Sequence, residues 1–496
     1  MDSFNSAGPS RTKSSRLFTD SWLAYNIFFL LSALQAYAIL SVPIQYIAAI
    51  ASCWFVLFLR IKYGRLPVAH LWLLVPLFAW AIVVTSFSSA VHDYASKMPV
   101  LSTTSYGVYI FLRFLNLATF AAVTCLVTFV ARRRGLRLLV ERVVQIAVLI
   151  SVVGLYLYYA PLVGLPEPPR TRNATQGGEQ ALLSTYYAFH RAMGTFREPS
   201  HFAEWLMAPF CFAFLYTGLK RIISLAFIGT ALLLTGSLTG IFGIIGGVVA
   251  AGIIVYRGRV TLLKAVPAAA VSIAIVGILF ASLVRTYSGK SVRQNANILE
   301  VVVDRITPIL SDGVSVSNRG YVYDYVRSAP TPLLGAGLGN AGLDFAEAIG
   351  SSLPGTFLSM YFNTYYSLGP IGLTILIIFL LAPIARTTLR PFRERKRLFW
   401  FLAGYIAMLI SHGVHSDEFN FMTALTFAAL CFSIDSLDQG GRVGRAKTDR
   451  LRRDERFVYP SHRVSIAAYS ENRDYSAGPR GRQVATGQGS SQGLSQ

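Results

Sequence analysis

The chain has 496 residues, of which 53% are hydrophobic and only 14% charged, with a mean hydropathy of +0.50. That balance excludes an ordinary soluble globular protein. A net charge of +21 would suggest nucleic acid as a partner of a soluble protein, but the basic residues here fall in short clusters between apolar runs, which points to membrane orientation and no nucleic acid.

Apolar runs of spanning length predict an all-α polytopic membrane protein of about twelve transmembrane helices, with two long outer loops carrying short helices. A basic arm (Arg11, Lys13, Arg16) covers about 1–20, the membrane domain about 21–437, and a tail about 438–496. The tail is rich in Gly, Ser, Gln and Arg, too poor in large apolar residues to offset ordering entropy, and is read as disordered and cytoplasmic. The spans are expected at about 21–41, 44–60, 68–90, 106–131, 138–160, 200–217, 221–237, 239–256, 261–284, 357–384, 398–413 and 419–436. The first apolar run, from near Trp22, is long enough to stay in the bilayer, so no cleavable signal is expected. Between 221 and 256, Gly236-Ser-Leu-Thr-Gly240 reads either as a turn or as a kink in one broken helix. With both termini inside, the inner loops carry Arg60/Lys62/Arg65, Arg132–Arg134 with Arg137, Lys220/Arg221, Arg257/Arg259 and Arg386 to Arg397. The outer connections near Pro43, Ser96 and Ser416 are poor in them, as the positive-inside rule requires. Cys53, Cys125, Cys211 and Cys431 all lie in apolar runs and read as small buried hydrophobes.

Two connections are long, and both fall outside. The first, about 161–199, opens on Pro161, Pro166, Pro168 and Pro169 and continues with an amphipathic helix expected over 179–193. The second, about 285–356, has helical spacing over 295–310 and balanced, alternating charges, which suggests a folded, ion-paired element.

The chemistry-bearing stretch is Arg191-Ala-Met-Gly-Thr-Phe-Arg-Glu-Pro-Ser-His-Phe-Ala-Glu204, directly before the apolar run that begins at Trp205. Pro199 suits a helix's first turn, which puts Arg197 and Glu198 on the mouth of that helix. Arg191 and Arg197 in the first loop, with Arg319 and Arg327 in the second, are cations whose rigid forks suit a pyrophosphate. Each could instead pair with a neighbouring carboxylate, Arg327 with Asp324 or Arg197 with Glu198 or Glu204. Arg113 interrupts the fourth span about two turns from its outer end, where it is either functional or snorkelling to the surface. Glu198, His201, Glu204 and Asp324 are candidate general bases, and Glu198, His201 and Glu204 recur at helical spacing. His412, His415, Asp417 and Glu418 form a third candidate cluster at the outer end of span eleven, where His412 and His415 read as an exposed polar turn with catalysis the alternative; no metal-ligand pattern appears. Gly335-Ala-Gly-Leu-Gly339 follows no strand and reads as a tight turn closing the second loop.

These segments, in this order, resemble the O-antigen polymerases (Wzy type) and related exopolysaccharide polymerases, which share a superfamily with the O-antigen ligases. The resemblance is carried by Phe196-x-Glu-Pro-Ser200, by Leu238-Thr-Gly-Ile-Phe-Gly243, by Arg319 through Gly339 with its aromatic residues such as Tyr323, and by Tyr366-Ser-Leu-Gly-Pro-Ile-Gly-Leu373. It covers about 185–375. It implies a bacterial inner-membrane enzyme without metal or cofactor. Its substrates would be oligosaccharides on undecaprenyl pyrophosphate, joined at the periplasmic face, with a chain-length regulator as a further partner. The resemblance leaves the general base unassigned; with that mechanism Glu198, as first choice of base, Arg197 and Arg319 are the expected catalytic residues, and Arg191, Arg327, Arg113, His201 and Tyr323 the expected substrate-binding ones. The histidine–asparagine pair that ligases carry before their Gly-x-x-Gly segment is missing; only Asn363 stands near Gly369, which favours polymerase over ligase. A flippase for the same lipid-linked sugars and a structural partner in a secretion complex are the competing classes; a flippase would line a midplane path with polar residues.

Overall fold

The computed structural model describes residues 15–39, 42–63, 71–72, 74–99, 105–160, 163–166, 168, 191–257, 322, 325–326, 328–329, 333–350, 357, 359–413 and 420–438. The chain divides into Met1–Gln439 and a second unit, Gly440–Gln496, which lies wholly outside the described residues.

The described helices are α1 (Ser15–Ser32), α2 (Ile44–Tyr63), α3 (Leu74–Val91), α4 (Tyr106–Arg134), α5 (Leu136–Tyr159), α6 (Pro199–Ala213), α7 (Gly218–Leu234), α8 (Leu238–Val255), α9 (Asn340–Ala348), α10 (Met360–Thr388), α11 (Phe392–Ser411) and α12 (Phe421–Asp438). Seven of them, α2, α3, α4, α5, α8, α10 and α12, contain stretches long and apolar enough to cross a membrane. This is a helical membrane protein.

Several expected boundaries move. The first helix begins at Ser15, inside the expected arm, and stops at Ser32 rather than near 41. A two-residue hairpin follows, β1 (Ala38–Ile39) pairing antiparallel with β2 (Val42–Pro43) in the register Ala38 with Pro43. The sixth helix is only 15 residues long, and nearly all of it is buried. The segment around Gly236 is a turn between separate helices, with Gly236 at φ 55°. The expected single span over 357–384 is broken at Gly369, where φ is 68°. The span expected at 261–284 and the helix at 295–310 lie outside the described residues, as does the helix at 179–193 except for 191–193, which are not helical.

The helix ends sort by chemistry. Arg386 pairs with Asp435 at 2.8 Å, Arg390 grips Asp438, and an Arg395 Nη donates to Ile254 O at 3.0 Å. These contacts gather α8, α10, α11 and α12 at one basic end. The opposite end carries the starts of α4, α6, α10 and α12 and the close of α1, α3, α7 and α11.

Glycines on one face of α8 let it approach its neighbours backbone to backbone. A Cβ at Gly240 would sit 2.8 Å from Ala203 Cβ, one at Gly243 2.6 Å from Met207 Sδ, and one at Gly247 2.5 Å from Ala403 O. Small residues at such seams are the usual basis of helix packing in lipid. Gly240 and Gly243 belong to the motif resembling the polymerases, and their contacts are packing contacts. Gly247→Leu should force α8 off α11, because its nearest obstacles are backbone atoms that cannot turn aside. A fall in the thermal midpoint of the detergent-solubilised protein would register this; an unchanged midpoint would show the seam to be compliant.

Candidate functional site at the polar end of the bundle

Two non-helical segments dip into the bundle at this end. The first is 191–198, the end of the first loop. Thr195 Oγ1 donates to Ala33 O at 2.6 Å, and Ala36 N returns a bond to Thr195 O at 3.0 Å. Gly194 takes φ 52° and packs on Phe202, with Gly154 of α5 beneath it. Phe196 is fully buried, stacked on Phe202 with ring centroids 5.1 Å apart. Arg191 Nε donates to Thr235 O at 2.6 Å, placing a cation on the C-terminal end of α7 where the helix dipole favours it.

This scaffold delivers Arg197, half-buried, to the mouth of α6. Glu198 is the extended N-cap residue, and Pro199 begins the helix, as its missing N–H allows. Ser200 Oγ donates to Glu198 Oε2 at 3.2 Å, and His201 Nε2 stands 4.0 Å from the same oxygen. Glu198 keeps nearly half of its side chain exposed (46%).

The second segment is 333–339, and its role differs from the expected loop-closing turn. It wedges into the break in α10. Ala336 N donates to Tyr366 O at 2.9 Å, Gly337 N to Ser367 O at 2.8 Å, and Trp80 Nε1 to Leu368 O at 2.8 Å. Three consecutive carbonyls near the break are thus taken up by neighbours. Leu338 N donates to Thr85 Oγ1 at 2.8 Å. Gly335, Gly337 and Gly339 all have φ near +90°, and a Cβ at Gly335 or Gly337 would fall within 3 Å of backbone. The amides of 336–338 are therefore consumed internally and do not present an anion cradle.

At the end of the wedge a ring of three hydrogen bonds ties α3, α4 and α9. Tyr106 Oη donates to Asn340 Oδ1 at 2.8 Å, Asn340 Nδ2 donates to Ser89 Oγ at 3.3 Å, and Ser89 Oγ meets Tyr106 Oη at 2.6 Å. Tyr106 spends its proton on Asn340, so Ser89 is the donor of the third bond. An Arg113 Nη donates to Tyr109 Oη at 3.3 Å, and Tyr109 in turn donates to Gly339 O at 3.1 Å. The Arg113 side chain thus reaches one turn towards the helix start, as snorkelling predicts, and it buttresses the wedge. Between α3 and α4 lies an open groove of about 500 Å³, walled by Phe78, Ile82, Ile110, Phe111 and Phe114 and rimmed by Thr85, Ser89 and Tyr106.

Lys97 closes the outer side, bonded to Asp344 at 2.8 Å and Glu347 at 3.0 Å. The Asp344 hydrogen bond, aided by Glu347 and offset by some desolvation, holds the ammonium well above the usual lysine range. A raised lysine contributes its stability below its unfolded pKa and loses it only as pH rises through the higher folded value, so this clasp should be unchanged from pH 7 to about 9. Lys97→Met should speed amide exchange in 340–348 while leaving 199–213 unchanged; equal exchange in both proteins would show the clasp to be idle.

Among the expected site residues, Arg197, Glu198 and His201 stand at the α6 mouth, Arg191 is bonded to the end of α7, and Arg113 sits at the wedge. Arg319, Tyr323 and Arg327 lie outside the described residues, as do Asp324, His415, Asp417 and Glu418. The described residues Val322, Tyr325 and Val326 of the second loop pack with Phe345, Phe357 and, on the first half of α10, Tyr366. The same half-helix meets α11, where Met360 N donates to His412 O at 3.0 Å and Tyr361 Oη to Leu409 O at 2.8 Å. Through α11, α10 connects to α6.

His412 corrects the expectation of an exposed turn, because it is fully buried. Its Nε2 lies 2.7 Å from Thr423 Oγ1 and its Nδ1 3.7 Å from Glu204 Oε1. Glu204, itself 3% exposed, accepts from Ser411 Oγ at 3.2 Å and Asn420 Nδ2 at 2.9 Å. Ser411, Asn420 and Thr423, which sequence reasoning missed, join His412 and Glu204 in a polar cluster. Its one trace in the sequence is polar residues just inside the ends of two apolar runs. Among the described residues, no three His, Cys, Asp or Glu side chains gather closely enough to hold a metal ion. No model of a known protein family matches this chain, and no curated protein matches it.

Proposed function

We propose that this protein is a polymerase of lipid-linked oligosaccharide repeat units, moving the glycan from undecaprenyl pyrophosphate to the terminal hydroxyl of an acceptor unit. On this reading it spans the bacterial inner membrane about twelve times, with both termini cytoplasmic and the polar end periplasmic. The observation that carries the reading is the pair of non-helical segments dipping between helices at one end of an apolar bundle. Irregular backbone at that depth is tolerated only where protein buries it or a cavity borders it. An apolar groove opening between α3 and α4 beside the wedge suits a lipid chain.

In the reaction, the acceptor oxygen bonds to the anomeric carbon while the bond to the pyrophosphate oxygen breaks. Glu198 takes the acceptor proton, and Arg197, with Arg191, Arg319 and Arg327, stabilises the growing charge on the departing lipid pyrophosphate. His201 and Tyr323 contact the glycan, and Arg113 holds the wedge that borders it. The arginines take the part a metal ion plays elsewhere. Among the described residues the polar groups gather at one end rather than along a midplane path, which favours transfer over transport.

The test is the lipid-linked pool in cells lacking the protein. A polymerase leaves single repeat units on the outer leaflet, a flippase leaves them on the inner leaflet, and a ligase leaves complete polymer unattached to its final acceptor. Either of the last two outcomes overturns the proposal.

A further inference from the structure

The buried cluster around Glu204 is not used by the transfer chemistry above, yet it joins α6 to the end of α11 and the start of α12. Asn420 Nδ2 is spent on Glu204, and Asn420 Oδ1 accepts from both the Thr423 amide at 2.9 Å and the Thr423 hydroxyl at 2.8 Å. A hydroxyl has one proton, so Thr423 Oγ1 must act as acceptor towards His412, and His412 Nε2 carries a hydrogen. The other ring nitrogen, Nδ1, faces Glu204 Oε1. At 3.7 Å the two atoms are within ion-pair reach though beyond hydrogen-bond distance, and a proton on Nδ1 makes His412 a counter-charge to the buried carboxylate.

The backbone carbonyl of His412 also receives the Met360 amide, so the same residue ties the start of α10 to the cluster. The arrangement thus links α6, α10, α11 and α12 at the end where Arg197 and Glu198 emerge. Among the described residues, Glu198 and His201 on α6 and Tyr361 on α10, the last bonded to Leu409 O, are titratable groups on the same elements.

We propose that Glu204 and His412 form a buried carboxylate–imidazole ion pair that positions the α6 mouth for transfer. The inference rests on the reading of that mouth as the transfer site. Neither residue is catalytic; they act through Arg197 and Glu198.

Glu204→Gln keeps the shape and can keep both bonds from Ser411 and Asn420, but it removes the carboxylate facing His412. His412→Gln removes the imidazole. Each is expected to slow polymer formation at least about tenfold at an unchanged amount of membrane protein. The double variant should be no worse than either single, because two residues acting as a unit lose their effect once. Glu204→Gln within twofold of wild type would overturn the proposal, as would losses that multiply in the double variant. A uniform fall in kcat and in thermal midpoint together, in all three, would point to structure alone and would overturn it too. Should Glu204→Gln not accumulate, Thr423→Val removes the acceptor for the Nε2 hydrogen; a normal rate there refutes the pair. Arg197→Ala, run alongside, separates the two levels. Normal polymer from Arg197→Ala removes the site itself, whereas lost polymer there with a normal Glu204→Gln removes only the pair.

Discussion

Arg197→Ala is expected to abolish polymer while the protein still accumulates in the membrane, and Arg319→Ala should do the same. Arg197 is half-buried and immediately precedes Glu198, the N-cap residue of α6. It therefore stands where the positive end of a helix already favours an anion. The fold beneath it is held by Thr195, Phe196 and Trp205, whose contacts to α1 and to Phe202 do not involve the guanidinium. Loss of the side chain should therefore leave the scaffold standing. Removing one preorganised donor from a charge-stabilising site costs about 100- to 1,000-fold in rate, which would leave no visible ladder of chain lengths. Arg197→Lys should retain part of the activity, since charge survives but the paired donors do not. Gel analysis of extracted polymer against a wild-type control provides the check. Normal ladders from both alanine variants would remove the proposed site.

Gly335→Val is expected to have the largest structural effect. Its φ of +91° is a region side chains rarely adopt, and a Cβ there would lie 2.4 Å from Ser367 O and 2.6 Å from Gly369 N. Leaving the left-handed region is the only relief, and that would withdraw the donors of Ala336 and Gly337 from Tyr366 O and Ser367 O. Strain of about 1–3 kcal/mol and two orphaned carbonyls at about 1–3 kcal/mol each approach the whole stability of an ordinary domain. Gly350→Val makes the control, because Gly350 has φ +65° but no atom within 4 Å of its Cβ position. Size-exclusion profiles of solubilised protein should show Gly335→Val lost or aggregated and Gly350→Val near normal. A monodisperse Gly335→Val with an unshifted midpoint would mean the wedge is dispensable.

The starts of α2, α4, α5, α6, α8 and α12 fall within about two residues of the sequence expectation, because apolar length and flanking basic residues are local properties. Pro199 at the start of α6 was legible for the same reason: a proline's missing amide is a covalent fact. By contrast, nothing local distinguishes the stop of α1 at Ser32 from continuation to 41, since Trp205 and Thr195, which bond to Ser32 and Ala33, are more than 160 positions away. The break in α10 was half visible. Gly369-Pro370 marks a discontinuity, but the groups that satisfy the carbonyls there come from 336, 337 and Trp80.

From the residues alone came the membrane class, the polarity between a basic end and a polar end, and the gathering of Arg197 and Glu198 at a helix mouth. All of these depend on composition and spacing within a few turns. The tertiary structure decided the rest: that His412 is buried against Glu204, that the glycine-rich stretch is a wedge, and that Arg191 caps α7. Each of those depends on which distant donor meets which distant acceptor. In an interior without water to take up the remainder, that pairing is set only when the helices close on one another.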